Sequence, residues 1–309
     1  MKKMIFIVSL CTSLFAVAQK TLQEKLGYSK DAKLVILHAD DLGMSHSENA
    51  ATAYAMDHGF VSSGSIMVPA PWFAEAAAYA RRHPNADLGI HLTLTSEWNY
   101  LKWGSVASAS EVRGLLNKNG FFFSSVDSVY ESATPAEVEK ELRAQIEKAK
   151  LFGIDITHLD SHMGTLFGRT DYLKILLRLG REYKLPVLLS KPIFQLVYKL
   201  NLDSLTTASD VMLNMIYMAG SQDFTNGMES YYTNVLKSLQ PGVSEIIFHL
   251  GYDDAELKAA TIDHVDYGAQ WRQADFNFFT SEKCKTLLAE QNIHVITWRE
   301  IRDKLVRNK

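Results

Sequence analysis

The sequence predicts an α/β fold, organised as a single distorted TIM-like (β/α) barrel. Apolar, strand-like runs alternate with helical patterns about seven times along the chain, which is typical of a parallel sheet covered by helices. No glycine-rich phosphate-binding fingerprint follows the first strand, which disfavours a doubly wound dinucleotide-binding fold. The 309 residues, 47% of them hydrophobic, are enough to bury one large core.

The first half of the chain carries the clearest local signals. A long helix begins at Thr134 and Pro135, because Thr134 and Glu137 form a capping box and proline suits the first helical position. Gly153 provides the stop for this helix. Apolar runs and helical spacing predict the other elements. These are strands at 33–39, 61–68, 87–94 and 154–160, and helices at 45–58 and 72–82.

The second half repeats the alternation, with one irregular segment. Residues 194–225 lack a clear period and are expected to form an insertion or a lid between barrel units. The remaining elements follow the same apolar patterns. They are strands at 185–189, 244–248 and 293–296, and helices at 171–183, 269–279 and 298–306.

The N-terminus resembles a secretory signal peptide. Two lysines precede an apolar run over 4–17, and Ala16-Val17-Ala18 forms a small-x-small cleavage site. We therefore expect a signal peptide at 1–18, a mature barrel domain at 19–309, and export to the periplasm or out of the cell. Cys284 is then the one remaining cysteine, so no internal disulfide forms and its thiol is expected to be packed.

Bulk charge and hydropathy limit the partners. The formal net charge is −3 and the basic residues are dispersed, which argues against a nucleic-acid surface. No later apolar run is long enough for a stable membrane insertion. Whether the chain forms a homodimer is left open.

Polar groups cluster at the carboxyl ends of the predicted strands, which is the face where barrel enzymes build their active sites. One carboxylate with two imidazoles is a sensible ligand set for zinc or a similar divalent ion. Each group alone has a simpler explanation, such as a turn or a helix cap, but their convergence on one rim favours a metal site. The groups are Asp40, Asp41, His91, His158, Asp160, Lys191, His162 and His249.

Four motifs resemble those of the YdjC-like (ChbG-type) carbohydrate deacetylases, which are mechanistic relatives of the polysaccharide deacetylases. The resemblance covers nearly the whole mature chain, and the order and spacing of the motifs are specific. The motifs are His38-Ala39-Asp40-Asp41-Leu42-Gly43, Gly89-Ile90-His91-Leu92-Thr93-Leu94-Thr95, Thr157-His158-Leu159-Asp160-Ser161-His162 and Phe248-His249-Leu250-Gly251.

The resemblance implies removal of an acetyl group from an N-acetylated sugar or oligosaccharide, which would be the chain's main partner. It implies that Asp41, His91 and His162 bind a divalent metal, zinc or magnesium. It also implies that Asp40 is the general base and His249 the general acid. The candidates for substrate binding are His38, His158, Asp160, Lys191, Trp98 and Arg272.

Two positions depart from the family pattern. Gly164 replaces a histidine and His38 replaces an asparagine. His38 shares a strand face with Asp40, so it either lines the site or is a buried polar residue. Two alternatives stay open for the function: another metal-dependent amide or ester hydrolase, and an exported carbohydrate-binding protein without turnover.

Overall fold

The computed structural model describes residues 20–308 and contains a parallel sheet of seven strands. The α/β, barrel-like fold predicted from the sequence is confirmed: the sheet is curled, and helices pack on its outer side. The strands are β1 (Lys33–Leu42), β2 (Ser63–Ile66), β3 (Leu88–Leu92), β4 (Leu159–Ser161), β5 (Met215–Met218), β6 (Gly242–His249) and β7 (Ile293–Val295).

Helices follow most of the strands. The longest, Pro135–Leu151, has the predicted capping box between Thr134 and Glu137. The helices are α1 (Leu22–Leu26), α2 (His46–His58), α3 (Phe73–Arg82), α4 (Val126–Ser132), α5 (Pro135–Leu151), α6 (Thr170–Tyr183), α7 (Lys191–Ile193), α8 (Ser221–Asn226), α9 (Met228–Ser238), α10 (Ala255–Ala260), α11 (Ala269–Phe279), α12 (Glu282–Glu290) and α13 (Trp298–Ile301).

Strand β1 is the centre of the sheet. It pairs with β6 along one edge, and along the other edge it pairs first with β7 and then with β2. The sheet continues from β2 to β3 and β4, and from β6 to β5. Nine of the ten residues of β1 are buried, as expected for a strand covered on both faces. All these pairings are parallel, so the carboxyl ends of the strands meet at one end of the sheet.

The strand predicted at 185–189 is wrong in its extent. This segment is extended, but it forms only isolated bridges, between Val187 and Leu159 and between Ser190 and Leu213. Pro186 has no N–H group and cannot donate to a ladder, which limits the pairing. The segment still links the two halves of the sheet, because Leu188 N–H donates to Leu159 and Leu213 N–H donates to Leu189.

The expectation of an insertion at 194–225 is only partly correct. Its first part is irregular and contains a π-helical turn at Phe194–Tyr198. Its later part contains β5, which pairs with β6 as a regular member of the sheet. Strand β5 is only four residues long and half-buried, so its apolar pattern was too short to stand out from the sequence.

The predicted signal peptide at 1–18 lies outside the described residues. Among residues 20–308, no helix combines the length and hydrophobicity needed to cross a membrane. Cys284 lies in α12 and its side chain is fully buried, in agreement with the expected packing role.

Candidate functional site

Asp40 and Asp41 lie where the pairing of β1 with β2 is interrupted by a bulge. Residues 39 and 42 of β1 lie opposite residues 64 and 66 of β2, so β1 contains one extra residue here. Asp41 has a φ of 69°, in the left-handed region that non-glycine residues seldom adopt. Successive side chains on a regular strand point to opposite faces, and a bulge breaks that alternation. The bulge therefore allows two consecutive aspartates to serve one site.

Asp41 lies between two imidazoles. Its Oδ1 atom is 3.4 Å from His91 Nε2 and 3.3 Å from His162 Nδ1. All three side chains are buried, and within residues 20–308 this Oδ1 atom has no hydrogen-bond partner of acceptable geometry. One ligand atom from each of the three residues can be chosen so that all lie within 4.8 Å of one another. This arrangement of one oxygen and two nitrogens suits a divalent ion.

Both imidazoles are oriented by a carboxylate at their other nitrogen. His91 Nδ1 is 2.7 Å from Asp160 Oδ1, its direct neighbour across the β3–β4 pair, and His162 Nε2 is 2.9 Å from Glu97 Oε2. Metal-binding histidines commonly have such a carboxylate partner. Burial opposes a charged His162, but Glu97 and Asp41 outweigh it and raise the pKa of His162 to about 10. The same negative charges would favour a bound cation.

Arg272 donates a hydrogen bond to the second carboxylate oxygen of Asp41. Its Nη2 donates to Asp41 Oδ2 at 2.8 Å, and its Nη1 donates to Glu48 Oε1. Burial disfavours an ionised Asp41, but Arg272 and the neighbouring histidines hold the pKa of Asp41 well below its usual range. Because Oδ2 is held by the guanidinium, Oδ1 is the oxygen that remains for a cation.

Asp40 has a different set of contacts. Ser65 Oγ donates to Asp40 Oδ1 at 3.0 Å, and His38 Nε2 is 2.9 Å from the same oxygen. The side chain is 9% exposed, compared with 3% for Asp41. Asp40 is therefore slightly more exposed than Asp41 and lies beside the cluster of Asp41, His91 and His162.

His249 lies opposite Asp40 in the β1–β6 pair. Its Nε2 is 3.8 Å from Asp41 Oδ2, and its backbone N–H donates to Asp275 Oδ2 at 3.1 Å. Burial lowers the pKa of His249 to about 4, and Arg272 contributes to this shift. The ring is therefore neutral near pH 7 in the free protein. With Asp40, it places a second group capable of proton transfer at the strand ends.

A family model described as YdjC-like protein matches residues 34–290, a range that includes this entire cluster. The chain belongs to the YdjC-like family. Two relatives are named carbohydrate deacetylase. The relative from Thermus thermophilus is 31% identical over 299 residues, covering 92% of this chain and 99% of the relative. The relative from Brevibacillus brevis is 30% identical over 268 residues, covering 86% and 99%.

A solved structure supports the fold of this YdjC-like chain. A protein of Enterococcus faecalis V583, described as a cellobiose-phosphate cleavage protein, superposes with a TM-score of 0.70. The sequence identity is 22%, and the alignment covers 87% of this chain and 99% of that chain. The similarity therefore extends over the whole fold of that protein.

Several residues predicted to bind substrate in this YdjC-like chain are placed where direct contact is not supported. His38 and His158 are fully buried beneath the rim. Asp160 is also buried, and its Oδ1 atom contacts His91 Nδ1. Trp98 is 2% exposed, and its ring packs against His264 and Arg272. We interpret these side chains as supporting groups, because a sugar cannot reach fully buried atoms in this conformation.

Two further candidates for substrate contact have other partners. The Nζ atom of Lys191 pairs with Asp203 at 2.5 Å on the surface. Arg272 is 1% exposed and holds Asp41, so its observed role is to position that carboxylate. The buried position of Arg272 favours a positioning role, whereas Lys191 is exposed and its substrate contact stays a prediction.

Sequence reasoning missed Glu48 and Glu97. Glu48 lies in the first turn of α2, where an acidic residue usually indicates only helix capping, and Glu97 follows β3 in a loop. Their partners, Arg272 and His162, are distant along the chain. Glu97 follows the motif around His91 by only a few positions, and that proximity was the one available signal.

Proposed function

We propose that this chain is a metal-dependent carbohydrate deacetylase, which hydrolyses the acetamido group of an N-acetylated sugar or oligosaccharide. The observation that carries the proposal is the unpaired, buried Oδ1 atom of Asp41 between His91 Nε2 and His162 Nδ1. The names of the relatives from Thermus thermophilus and Brevibacillus brevis support the substrate class.

The donor atoms of Asp41, His91 and His162 fit a divalent cation. Zinc accepts carboxylate oxygen and imidazole nitrogen, and catalytic sites often supply three protein ligands. Asp160 and Glu97 would fix the two imidazoles in the orientation that ligation requires. When bound there, the ion would polarise the amide carbonyl and make water more acidic.

Asp40 would act as the general base. Its Oδ1 is held by Ser65 and His38, while the carboxylate keeps some access to solvent. It would accept a proton from the water that attacks the acetyl carbon, so that the new C–O bond forms as the proton leaves. Arg272 would keep Asp41 ionised during this step through its hydrogen bond to Oδ2.

His249 would protonate the departing amine. The C–N bond breaks to give acetate and a sugar amine, and the nitrogen needs a proton as it leaves. His249 is neutral in the free protein, because burial lowers its pKa to about 4. The ring, on the strand next to that of the base, would take up a proton from solvent as negative charge develops on the substrate oxygen, and would pass it to the leaving nitrogen. The proton accepted by Asp40 would then return to solvent.

Metal content and turnover test the two aspartates separately. We expect Asp41→Ala to lose bound metal by elemental analysis of the purified protein, because a direct ligand is removed. Asp40→Asn should keep its metal and lose turnover by about 10²–10⁴-fold, because only the base is removed. His58→Ala, at an exposed helix end, is the matched control and should keep both properties. Full metal content in Asp41→Ala would contradict the ligand assignment.

A substrate panel tests the reaction class. The proposal expects acetate release from N-acetylated sugars or oligosaccharides that depends on added zinc or magnesium. Hydrolysis of unrelated amides or esters alone would identify another metal-dependent hydrolase. Saturable sugar binding without acetate release, in a metal-loaded protein, would identify a binding protein without turnover.

A further inference from the structure

His38 lies beneath the proposed base, and its imidazole contacts several buried polar side chains. Its Nε2 is 2.9 Å from Asp40 Oδ1 and 3.3 Å from Asp160 Oδ2. Its Nδ1 is 3.0 Å from Ser63 Oγ and 3.7 Å from Glu245 Oε1. The imidazole is 0% exposed, so a substrate cannot touch it in this conformation.

We propose that His38 is a positioning residue, whose Nε2–H group bridges Asp40 and Asp160 electrostatically. The group lies between the two carboxylates and donates to the Ser65 hydroxyl, which in turn donates to Asp40. One proton donor would thereby fix both the proposed base and the carboxylate that orients His91. This inference rests on the proposed function, since it assigns His38 a part in the same reaction without contact to the substrate.

The identity of the acceptors determines which nitrogen of His38 carries the proton. Ionised carboxylates only accept hydrogen bonds, and two of the three side chains near Nε2 are carboxylates. The third, the Ser65 hydroxyl, already donates its proton to Asp40 and can only accept from Nε2. Nε2 must therefore donate, whatever the charge of the ring. Ser63 can serve either state, because a hydroxyl donates to a bare Nδ1 and accepts from a protonated one. Burial opposes a charged ring, but Glu245, Asp160 and Asp40 together raise the pKa of His38 well above its usual value.

Two serines on β2 restrict the position of the His38 ring. His38 lies opposite Ser63 in the β1–β2 pair, and Ser65, two residues later on β2, contacts Nε2 at 3.2 Å while donating to Asp40. Residues two apart on a strand share a face, so both serines line the same side of the ring. The strand register therefore sets the position of the donor.

The two bridged carboxylates need such a donor. Oxygens of Asp40 and Asp160 lie with His91 in a group whose ligand atoms are all within 4.8 Å of one another. Two buried anions at this separation repel each other strongly unless a donor lies between them. Without His38, we expect the carboxylates to move apart. Movement of Asp160 would tilt His91, and movement of Asp40 would misplace the base.

A spectroscopic test addresses the proton on Nε2 without relying on activity. Histidine labelled with ¹⁵N in the full chain can be followed by multiple-bond ¹H–¹⁵N correlation, with His38→Asn used to assign the His38 signals. We expect Nε2 of His38 to be protonated at every pH at which the protein is folded. An unprotonated Nε2 would overturn the bridge, whether or not the protein proves to be a deacetylase.

A kinetic test addresses the positioning role. Removing a partner that orients a site commonly costs about 10- to 100-fold, so His38→Leu should lower kcat by this factor. KM should change by less than about twofold, because the ring does not touch substrate. His38→Asn should recover part of the loss, since its amide can still donate. His58→Leu, an exposed histidine replacement, should behave as the parent.

Metal analysis of the same variants completes the test. We expect His38→Leu to keep the metal content of the parent, since His38 is not a proposed ligand. Loss of metal that excess metal does not restore would overturn the proposal, because His38 would then act as a ligand, whereas a tilted His91 would only weaken binding. Parental kcat in His38→Leu would overturn it as well. If the parent itself releases no acetate, the proposed function fails, while the protonation of Nε2 remains a separate result.

Discussion

Replacement of Gly164 by alanine should lower the free energy of unfolding by more than the cost of a left-handed backbone alone. Gly164 has a φ of +62°, and a Cβ atom added to it would lie 2.3 Å from Tyr198 Oη. The next atom of the tyrosine, Cζ, would be 3.3 Å away. Tyr198 ends the π-helical turn at Phe194–Tyr198 and packs against Phe167 and Phe194. The hydroxyl therefore occupies the space that a side chain at position 164 would need.

The structure separates two contributions to the free energy of unfolding. A left-handed backbone costs a non-glycine residue roughly 1–2 kcal/mol. Overpacking against Tyr198 adds typically 1–3 kcal/mol, which gives a total of about 2–5 kcal/mol for Gly164→Ala. Gly120 has a φ of +83° with no heavy atom within 4 Å of the added Cβ, so Gly120→Ala should show only the backbone cost of about 1–2 kcal/mol.

Urea unfolding of five variants, the three single replacements and the two glycine replacements combined with Tyr198→Phe, measures the difference. In a Tyr198→Phe background the hydroxyl is gone, so Gly164→Ala should lose most of its overpacking cost and show a coupling of about 1–3 kcal/mol. Gly120→Ala should be unaffected by the same background. Equal destabilisation at positions 120 and 164, or no coupling between 164 and 198, would refute the steric reasoning.

Two further predictions concern ionisation outside the site. Burial raises the pKa of Asp155, but Arg302 and Arg299 outweigh it and lower the value to about 2. Its stabilisation is present above the unfolded pKa of about 4 and is lost as the pH falls through the folded pKa. In urea titrations Asp155→Asn should therefore cost about 1 kcal/mol at pH 7 and clearly less at pH 2, where the carboxylate is half protonated. Burial raises the pKa of the Cys284 thiol to about 12. In a chain whose other cysteine, Cys11, is replaced by serine, a thiol reagent should therefore react only after unfolding. Rapid labelling of the folded protein would contradict this.

The position of the site could be predicted from sequence because it depends on strand ends. His91 is the fourth residue of β3, as its apolar run indicated. His162 follows β4 directly, although the strand predicted at 154–160 is observed only at Leu159–Ser161. Parallel strands bring such residues together whatever the details of packing. The capping signals at Thr134 likewise act within one turn of helix, so they can be read locally.

The groups that complete the site could not be predicted in this way. The bulge that turns Asp41 towards the histidines depends on the register between β1 and β2, which no single strand encodes. Glu48 contacts Arg272, which lies 224 positions further along the chain. Glu97 contacts His162. Contacts between residues so far apart in sequence arise only in the folded sheet, and no local sequence pattern indicates them.

The two departures from the family motifs both lie next to the proposed ligands without removing one. At position 38, a buried imidazole contacts Asp40 and Asp160, and hydroxyls on β2 hold its ring. At position 164, the glycine allows Tyr198 to approach the turn that follows His162. The first change lies below the proposed metal ligands, where it can alter the rate, and the second lies beside them, where it can alter the shape of the pocket.

These placements direct the search for the substrate. Asp41, His91 and His162 all match the family motifs and lie together. A panel that varies the metal therefore tests only the hydrolytic step that the family members would share. A panel that varies the sugar tests what is particular to this chain, because a histidine at position 164 would collide with the Tyr198 hydroxyl. Tyr198→Phe is then the informative variant: a change in preference among N-acetylated sugars with unchanged metal content would assign Tyr198 to the pocket wall. Unchanged preference would confine it to packing.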